Sequence, residues 1–320
     1  MKQNWQQLIA AFVLGVMFPG LSLRLGLAIA KPRPVDPLPQ ASESISAEIP
    51  PQTIPVLTAD GLVQSMDLEE YLVGVLLAEM PASFEEDALM AQAVVARTYA
   101  LKRISESDRH IPGAVCTDPG CCQAYLLPQD YTGTAEDLAK ITRCVAATCG
   151  QVLTYLGELA EATYFSCSGG RTESAVAVWG SDVPYLRSVE SPGEEQAQPY
   201  TKTVQFTGEE FARALGQNLT GAPKTWLGSV SYTQGGGVAT MVIGGVRYTG
   251  IQLRRLLKLN STAFHIVAEN NELIITTQGK GHRVGMSQYG ADAMAASGSS
   301  YVQILAHYYR GAVLTQIEEN

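Results

Sequence analysis

Positive charge is scarce in this sequence. Its 320 residues include 22 lysines and arginines against 31 aspartates and glutamates, which gives a net charge of −9, and no stretch is rich in lysine or arginine. A nucleic-acid-binding protein normally carries a basic stripe, so we exclude this class and expect no nucleic-acid partner. Histidine is also rare, with four residues and no H-E-x-x-H motif, which argues against a metal-dependent amidase.

The chain is long enough to bury a substantial core. A length of 320 residues and a hydrophobic content of 46% fit a globular protein with one large domain or two ordinary ones. Residues 31–53 are rich in proline and predict a linker. We expect residues 54–320 to form the functional domain, with a β-rich portion at about residues 151–278.

The N-terminal residues have the pattern of an export signal. Lys2 precedes an apolar stretch at residues 8–21, and an A-x-A sequence of the kind found at cleavage sites follows. We expect residues 1–30 to be a signal peptide or a membrane anchor, and the short apolar run favours the signal. The domain is therefore expected outside the cytoplasm, in the periplasm, in the cell wall or anchored to a membrane. Only the N-terminal segment is expected to contact the membrane.

Residues 67–78 predict a short buried helix. Their apolar side chains recur at i, i+3, i+4, i+7 and i+8, and Asp67 has the character of a capping residue. Pro81 ends this helix, because proline cannot continue it. A second capping pattern at Ser83 predicts a long, alanine-rich helix at residues 85–103, whose small side chains permit close packing.

Glu79 is expected at the C-terminal end of the first helix, among apolar neighbours. Desolvation and the negative end of the helix dipole both raise the pKa of a carboxyl group in that position. A carboxylic acid that keeps its proton near neutral pH can serve as a general acid. The alternative is a solvated glutamate between two helices, and placement alone favours it because most charged residues lie on the surface.

The rest of the chain predicts an α+β fold, with a helical core from the N- and C-terminal parts and a β-rich middle region. The predicted strands lie at residues 54–57, 62–66, 151–155, 162–165, 228–232, 238–243, 246–248, 264–268 and 272–276. The further helices are predicted at residues 135–147, 206–215, 249–259 and 301–310.

Three stretches resemble one known family. The first is EYLVGVLLAEMPASFEEDALMAQAVVARTYA at residues 70–100, the second is SCSGGRTE at residues 166–173, and the third is GKGHRVGMSQYGA at residues 279–291. They resemble the signatures of the stage II sporulation protein D (SpoIID/LytB) family of peptidoglycan lytic transglycosylases. The third stretch departs from the family pattern at Arg283, where glycine is usual. We expect Arg283 to alter the lip of the groove or to add a contact with a carboxylate.

The resemblance implies cleavage of the β-1,4 bond between N-acetylmuramic acid and N-acetylglucosamine in peptidoglycan strands already stripped of peptide. Glu79 would be the general acid and then the base, giving 1,6-anhydro ends, as in a carbon–oxygen lyase. One acid is enough when the sugar's own C6 hydroxyl attacks, whereas hydrolysis needs two carboxylates. A non-catalytic cell-wall-binding activator of an amidase and a hydrolytic glycosidase are the alternatives, and a cell-wall amidase is an expected partner.

The resemblance also suggests where the substrate binds. Arginine forks suit the lactyl carboxylates of muramic acid, and an aromatic ring such as Trp179 or Tyr185 suits a sugar face. Arg97 points away from the helix face shared by Gln92 and Tyr99, so a buried structural role is its alternative. The substrate-binding candidates are Gln92, Arg97, Tyr99, Ser168, Gly169, Arg171, His282, Ser287 and Gln288.

A cysteine cluster leaves two hypotheses open. The run from Cys116 to Cys121 and Cys122 resembles a family pattern, Cys-x4-His-Cys, in which the first cysteine and the histidine can bind zinc, and Cys121 stands in the place of that histidine. A thiolate is an acceptable zinc ligand, so Cys116 and Cys121 are candidates for a structural zinc site. A disulfide is equally consistent with cysteines in an exported protein. The chemistry itself requires no cofactor.

Overall fold

The computed structural model describes residues 53–106, 113–198 and 200–317. All of them belong to one compact unit, residues 35–320. The predicted signal or anchor at residues 1–30 lies outside the described residues, as does the predicted linker except for Thr53, which begins the first strand. Within the described part of the chain, we find no helix of the length and apolarity needed to cross a membrane.

The described residues form both helices and strands, which confirms the expected α+β class. The helices are α1 (Leu68–Glu79), α2 (Glu86–Glu106), α3 (Ala135–Ala147), α4 (Ala175–Trp179), α5 (Gly208–Leu215), α6 (Gly250–Leu256), α7 (Gln288–Ala296) and α8 (Tyr301–Tyr308). The strands are β1 (Thr53–Leu57), β2 (Val63–Asp67), β3 (Val115–Cys116), β4 (Gln151–Tyr155), β5 (Glu158–Leu159), β6 (Tyr164–Phe165), β7 (Thr201–Thr207), β8 (Leu227–Tyr232), β9 (Val238–Ile243), β10 (Val246–Thr249), β11 (Ala263–Glu269), β12 (Glu272–Gln278), β13 (Met286–Ser287) and β14 (Val313–Gln316).

The larger hydrophobic core belongs to what we call the helical region, residues 53–198 and 284–317. Helix α2 crosses its centre and packs against α1, α3, α7, α8 and strand β4. Small side chains make this close approach possible, because Ala88, Ala91, Ala93, Ala96 and Ala100 are all fully buried. Strand β4, which we had assigned to the β-rich portion, also packs in this core.

Helices from the N- and C-terminal parts of the domain accept hydrogen bonds from each other's N-terminal backbone N–H groups. Asp67 caps α1, accepting hydrogen bonds from the backbone of its first turn. We predicted Ser83 as the cap of α2, but that helix begins at Glu86, and the Oδ1 atom of Asp292 in α7 accepts a bond of 2.8 Å from the N–H of Glu85. In return, Asp87 Oδ1 in α2 accepts a bond of 2.7 Å from the N–H of Tyr301, the first residue of α8.

The predicted strands at residues 151–155 and 162–165 do not pair with each other. The partner of β4 across the turn at Gly157 is the short strand β5. Strand β6 instead pairs in parallel with β13, so Tyr164 lies beside Met286. This long-range pairing places the start of the second signature stretch beside the third, and a bridge between Cys167 and Lys280 joins the two stretches directly.

The smaller core belongs to the β-rich region, which we define as residues 200–278. It contains two three-stranded sheets, ordered β11-β12-β7 and β10-β9-β8, and the second is a meander of three consecutive antiparallel strands. Strand β7 was not predicted; it ends where α5 begins, and Thr207 with Glu210 forms a capping box at that junction. Phe211, Leu253 and Leu273 are fully buried between the helices and sheets.

Candidate active site

An open groove of about 1220 Å³ lies where α1, β6, α6 and the loop at residues 279–283 meet. Both regions line it, since Glu79 and Tyr164 come from the helical region and Arg254 and Asn260 from the β-rich region. Of the predicted catalytic and substrate-binding candidates, the groove is lined by Glu79, Tyr99, His282 and Gln288.

Glu79 is the last residue of α1 and is partly buried. The chain leaves the helix at Met80, which adopts an extended conformation before Pro81. Glu79 Oε1 accepts hydrogen bonds from the N–H of Ala124 at 2.9 Å and from Tyr164 Oη at 3.2 Å. Burial raises the pKa of Glu79, and these two bonds, with a weaker interaction from Gln288, oppose the rise. Because both bonds end on Oε1, a proton on this carboxyl group would sit on Oε2.

A chain of hydrogen bonds holds this acid in place. Tyr71 Oη donates to Gln123 Oε1 at 3.4 Å, Gln123 Nε2 donates to Tyr164 Oη at 3.1 Å, and Tyr164 donates to Glu79. Burial raises the pKa of Tyr164 well above its ordinary value, so the phenol keeps its hydrogen and remains a donor. Tyr164 was not among the predicted site residues, although its place in a predicted strand before the second signature was a usable signal.

His282 is an uncharged member of the groove at neutral pH. Burial, followed by the charge of Arg254, lowers the pKa of His282 to about 4. Its Nδ1 accepts a hydrogen bond of 3.1 Å from the N–H of Val284, so the hydrogen of the neutral ring is on Nε2. The ring lies near Phe165 and Trp179, with centroid distances of 5.6 and 5.8 Å. A hydrogen bond with the backbone of Tyr164 opposes the lowering of this pKa, and the neutral ring is a poor proton source.

Other groove residues offer aromatic and amide contacts. Arg103 lies over the ring of Tyr99, with 4.8 Å between its Cζ atom and the ring centroid. Gln288 is buried, and its Nε2 atom has no hydrogen-bond partner among the described residues. Trp179 is exposed in the groove, whereas Tyr185 is buried against Tyr155, so of the two predicted sugar platforms only Trp179 is accessible.

Two candidates on α2 lie away from the groove. Arg97 is fully buried, and its Nε donates to Glu69 Oε1 at 2.8 Å while its Nη1 donates to the carbonyl of Gln151 at 3.0 Å. The structure therefore supports the alternative of a structural partner for Arg97. Gln92 is also fully buried, and its amide has no hydrogen-bond partner in the described part of the chain.

The glycine turn of the second signature is built around a buried carboxylate that the sequence analysis missed, Glu194. Its oxygens accept bonds from Ser168 Oγ at 3.0 Å and from the N–H of Gly169 at 3.2 Å. A Cβ atom on Gly169 would lie 2.9 Å from the backbone of Gln278, so the turn requires glycine. Ser168 and Gly169 are thus held inside the fold, away from the groove lining.

The remaining signature candidates also have structural contacts. Arg171 lies at the surface and pairs with Glu190 at 2.8 Å. Ser287 is buried and caps α7, where its Oγ accepts a bond of 3.2 Å from the N–H of Gly290. Neither side chain lines the groove.

Of the two expectations for Arg283, the altered groove lip is wrong, because the residue is buried, whereas it does contact a carboxylate, that of Glu173 within the fold. Its φ angle of 68° is in the left-handed region where the family has glycine. The guanidinium donates to the carbonyls of Ser168 and Gly235 at 2.6 and 2.7 Å, and it lies 3.5 Å from Glu173. Glu173 in turn accepts a bond of 3.0 Å from the N–H of Gly237, so this pair ties the helical region to the β-rich region.

Four charged residues of the groove were absent from the sequence prediction. Arg103 and Glu161 form an ion pair with each other, and Arg254 and Lys280 are the other two. Lys280 belongs to the third signature stretch, but no local pattern distinguished Arg254, because an arginine in an amphipathic helix such as α6 usually lies on a solvated face.

The cysteines of the predicted metal site do lie together. The sulfur atoms of Cys116, Cys121 and Cys122 are within 4.8 Å of one another, and Cys121 and Cys122 line the groove. Three thiolates at this spacing fit three corners of a tetrahedral zinc site, in which Zn–S distances are ~2.3 Å. Burial raises the pKa of the Cys122 thiol to about 12, so metal binding would have to displace its proton.

Comparison with known proteins agrees with this geometry. A family model described as SpoIID, stage II sporulation protein, matches residues 58–155. Stage II sporulation protein D of Bacillus subtilis is 41% identical over 292 residues, which cover 88% of this chain and 83% of the relative. This chain belongs to the stage II sporulation protein D family. Members of that family are known in general as cell-wall lytic transglycosylases, so the chain has a cell-wall lytic role.

Two other relatives extend the comparison. Stage II sporulation protein D of Bacillus amyloliquefaciens is 39% identical to this chain over 277 residues, which cover 84% of this chain and 80% of the relative. A protein named amidase enhancer in Bacillus subtilis is 28% identical over 298 residues, covering 76% of this chain and 40% of the relative. The second name fits a relationship between the family and cell-wall amidases.

Proposed function

We propose that this protein is a peptidoglycan lytic transglycosylase that cleaves the β-1,4 bond between N-acetylmuramic acid and N-acetylglucosamine, with Glu79 as general acid and then base. The observation that carries the proposal is the position of Glu79: it is partly buried, fixed by Ala124 and Tyr164, and open to a groove large enough for sugars. Its raised pKa supports the protonated form that the first step needs.

The reaction balances without water. Glu79 Oε2 gives its proton to the glycosidic oxygen as the C1–O4 bond breaks, and an oxocarbenium-like centre forms at C1 of the muramic acid. The C6 hydroxyl of the same sugar attacks C1, and its proton passes to the Glu79 carboxylate. The products are a 1,6-anhydro end and a free 4-hydroxyl on the leaving sugar. Tyr99, His282 and Gln288 are the predicted substrate-binding residues that line the groove.

The groove contains a second carboxylate, Glu161, which a hydrolytic glycosidase could use as a base. Its ion pair with Arg103 opposes that role, because it binds the carboxylate to a cation at one wall. Mass spectrometry of products from stripped glycan strands separates the two reactions. We expect anhydro ends from the wild type, a loss of at least about a hundredfold in rate for Glu79→Gln, and retained anhydro products for Glu161→Gln.

Other results would overturn the assignment. Reducing ends from the wild type, together with a loss of activity in Glu161→Gln, would indicate hydrolysis by two carboxylates. A Glu79→Gln variant that still cleaves at the wild-type rate would remove the proposed acid. If neither protein cleaves but both increase the activity of a purified cell-wall amidase, the protein is a non-catalytic activator, which the name of the amidase enhancer relative favours.

The metal and the location are also proposals. We propose that Cys116 and Cys121, with Cys122 as a further ligand, hold a structural zinc outside the cytoplasm, where peptidoglycan lies. Zinc there would tie down the loop that carries Ala124, one of the two donors to Glu79. Elemental analysis of protein isolated without added metal tests this. About one zinc per chain supports it, whereas a mass 2 Da below that of the reduced chain, with no zinc, indicates the disulfide.

A further inference from the structure

Three cations line the groove, and two of them have no counter-ion in the described part of the chain. Arg103 pairs with Glu161. Arg254 and Lys280 form no ion pair and no side-chain hydrogen bond with any described residue. Arg254 lies in α6 and Lys280 lies in the loop at residues 279–283. The two residues are distant in the sequence, and the fold brings them to the same groove.

Arg254 is the more unusual of the two, because its side chain is partly buried. Burial lowers the pKa of Arg254, and no carboxylate opposes that effect. Removing a guanidinium from water without an anion costs free energy, and cations in such positions are normally paired. An anion that enters the groove would supply the missing partner. Lys280 is exposed and could add a second positive charge to the same anion.

Neither cation is among the main influences on the pKa of the proposed acid. The groups that influence the Glu79 carboxyl are the N–H of Ala124, Tyr164 and Gln288, all of them neutral. The charge of Arg254 acts instead on His282. The anion would therefore bind on the His282 side of the groove, where Trp179 also lies, and Glu79 would keep its proton.

We propose that Arg254 and Lys280 bind the lactyl carboxylate of N-acetylmuramic acid, and that these two residues are the source of the preference for peptide-stripped strands that the family resemblance implies. This inference rests on the proposed function. In a glycan strand without peptides, the lactyl carboxylate is the charged group of each disaccharide. When a stem peptide is attached, the same carboxyl is part of an amide bond and carries no charge. A guanidinium fork matches a free carboxylate in geometry and charge, but it gains much less from an amide.

The test measures binding in the Glu79→Gln background, which leaves the strands uncut. Isothermal titration uses stripped strands of defined length and the same strands with their lactyl carboxylates converted to methylamides, which remove the charge with little added bulk. We expect the free acid to bind about ten- to a hundredfold more tightly than the methylamide. Adding Arg254→Gln should bring this ratio close to one, and adding Lys280→Gln should lower it less, because Lys280 is exposed.

Arg255 provides the matched control, because it is exposed on the same helix and does not line the groove. Arg255→Gln should keep the full ratio, and Arg254→Lys, which keeps the charge without the fork, should give an intermediate one. An unchanged ratio in Arg254→Gln overturns the proposal. If Arg254→Gln does not fold, the proposal is overturned when both Arg254→Lys and Lys280→Gln keep the wild-type ratio of free-acid to methylamide affinity. Failure of the proposed function is seen separately, as cleavage by Glu79→Gln or no cleavage by the wild type, and it leaves the binding ratio measurable.

Discussion

The helical region and the β-rich region bring different chemistry to one groove. The helical region contributes Glu79 and the buried hydrogen-bond chain through Tyr164, whereas the β-rich region contributes the unpaired cation Arg254. The carboxyl group of Glu79 must be held in one position, and the closely packed core around α2 provides the rigid support for this. Recognising a charged group needs only a cation that can reach it. The proposed acid and the proposed carboxylate-binding cation therefore belong to different regions, so a substitution in one region can change substrate preference without changing the acid.

The largest effect is expected where the two regions are joined. Arg283→Met leaves Glu173 charged and buried, so we expect a loss of about 3 to 5 kcal/mol in the free energy of unfolding. Urea unfolding followed by circular dichroism measures it. Because Arg283 also holds the carbonyls of Ser168 and Gly235, the two regions should unfold in separate steps. A single transition at the wild-type midpoint would contradict the proposed link.

Core truncations in each region come next. Leu89 in the helical core and Leu273 in the β-rich core are both fully buried, so each change to alanine should cost about 2 to 5 kcal/mol. Calorimetry of the two variants sharpens the comparison. With the Arg283 link intact, we expect one transition in both. If Leu273→Ala melts the β-rich region alone and leaves glycan cleavage at its normal rate, that region is dispensable for catalysis.

Glu79→Gln should change stability as well as activity. The pKa of Glu79 is raised in the folded state from an ordinary value of 4.5, so the folded protein binds this proton more tightly than the unfolded chain does. Ionisation therefore lowers stability as the pH rises from 4.5 through the raised pKa. The glutamine variant lacks this loss, so its melting temperature should exceed that of the wild type at neutral pH, and the difference should vanish below pH 4.5. A constant difference across this range would show that burial does not perturb the acid.

The smallest effect is expected at Arg171, despite its place in a signature stretch. Its ion pair with Glu190 is solvent-exposed, and such pairs contribute about 0 to 1 kcal/mol. Arg171→Ala should leave cleavage of stripped strands close to the wild-type rate. A large rise in KM with unchanged stability would show that Arg171 contacts the substrate after all.

Local patterns predicted the elements better than the contacts. The cap at Asp67 and the full extent of helix α3 follow from short sequence rules and are confirmed. The parallel pairing of β6 with β13 was beyond those rules, because it depends on residues more than a hundred positions apart.

The candidate site shows the same difference between features that are encoded locally and features that depend on long-range contacts. Glu79 was found because its helix end is encoded locally, and it does line the groove. Ser168, Gly169 and Ser287 were placed in the groove by their motifs, yet those motifs build the turns that support it. A signature motif does not distinguish a residue that touches a ligand from one that supports the backbone. Arg254 had no motif, so only the fold could bring it to the groove.

The bonds between Asp292 and Glu85 and between Asp87 and Tyr301 have a consequence for how the protein is made. Synthesis proceeds from the N-terminus, so the helices around Glu79 emerge long before the segments that complete them. Gln288, beside the acid, arrives with the same late segment. The groove is therefore finished only when the whole chain has been delivered. A prematurely ended product would carry Glu79 without Gln288 and without the segments that complete the helices around it.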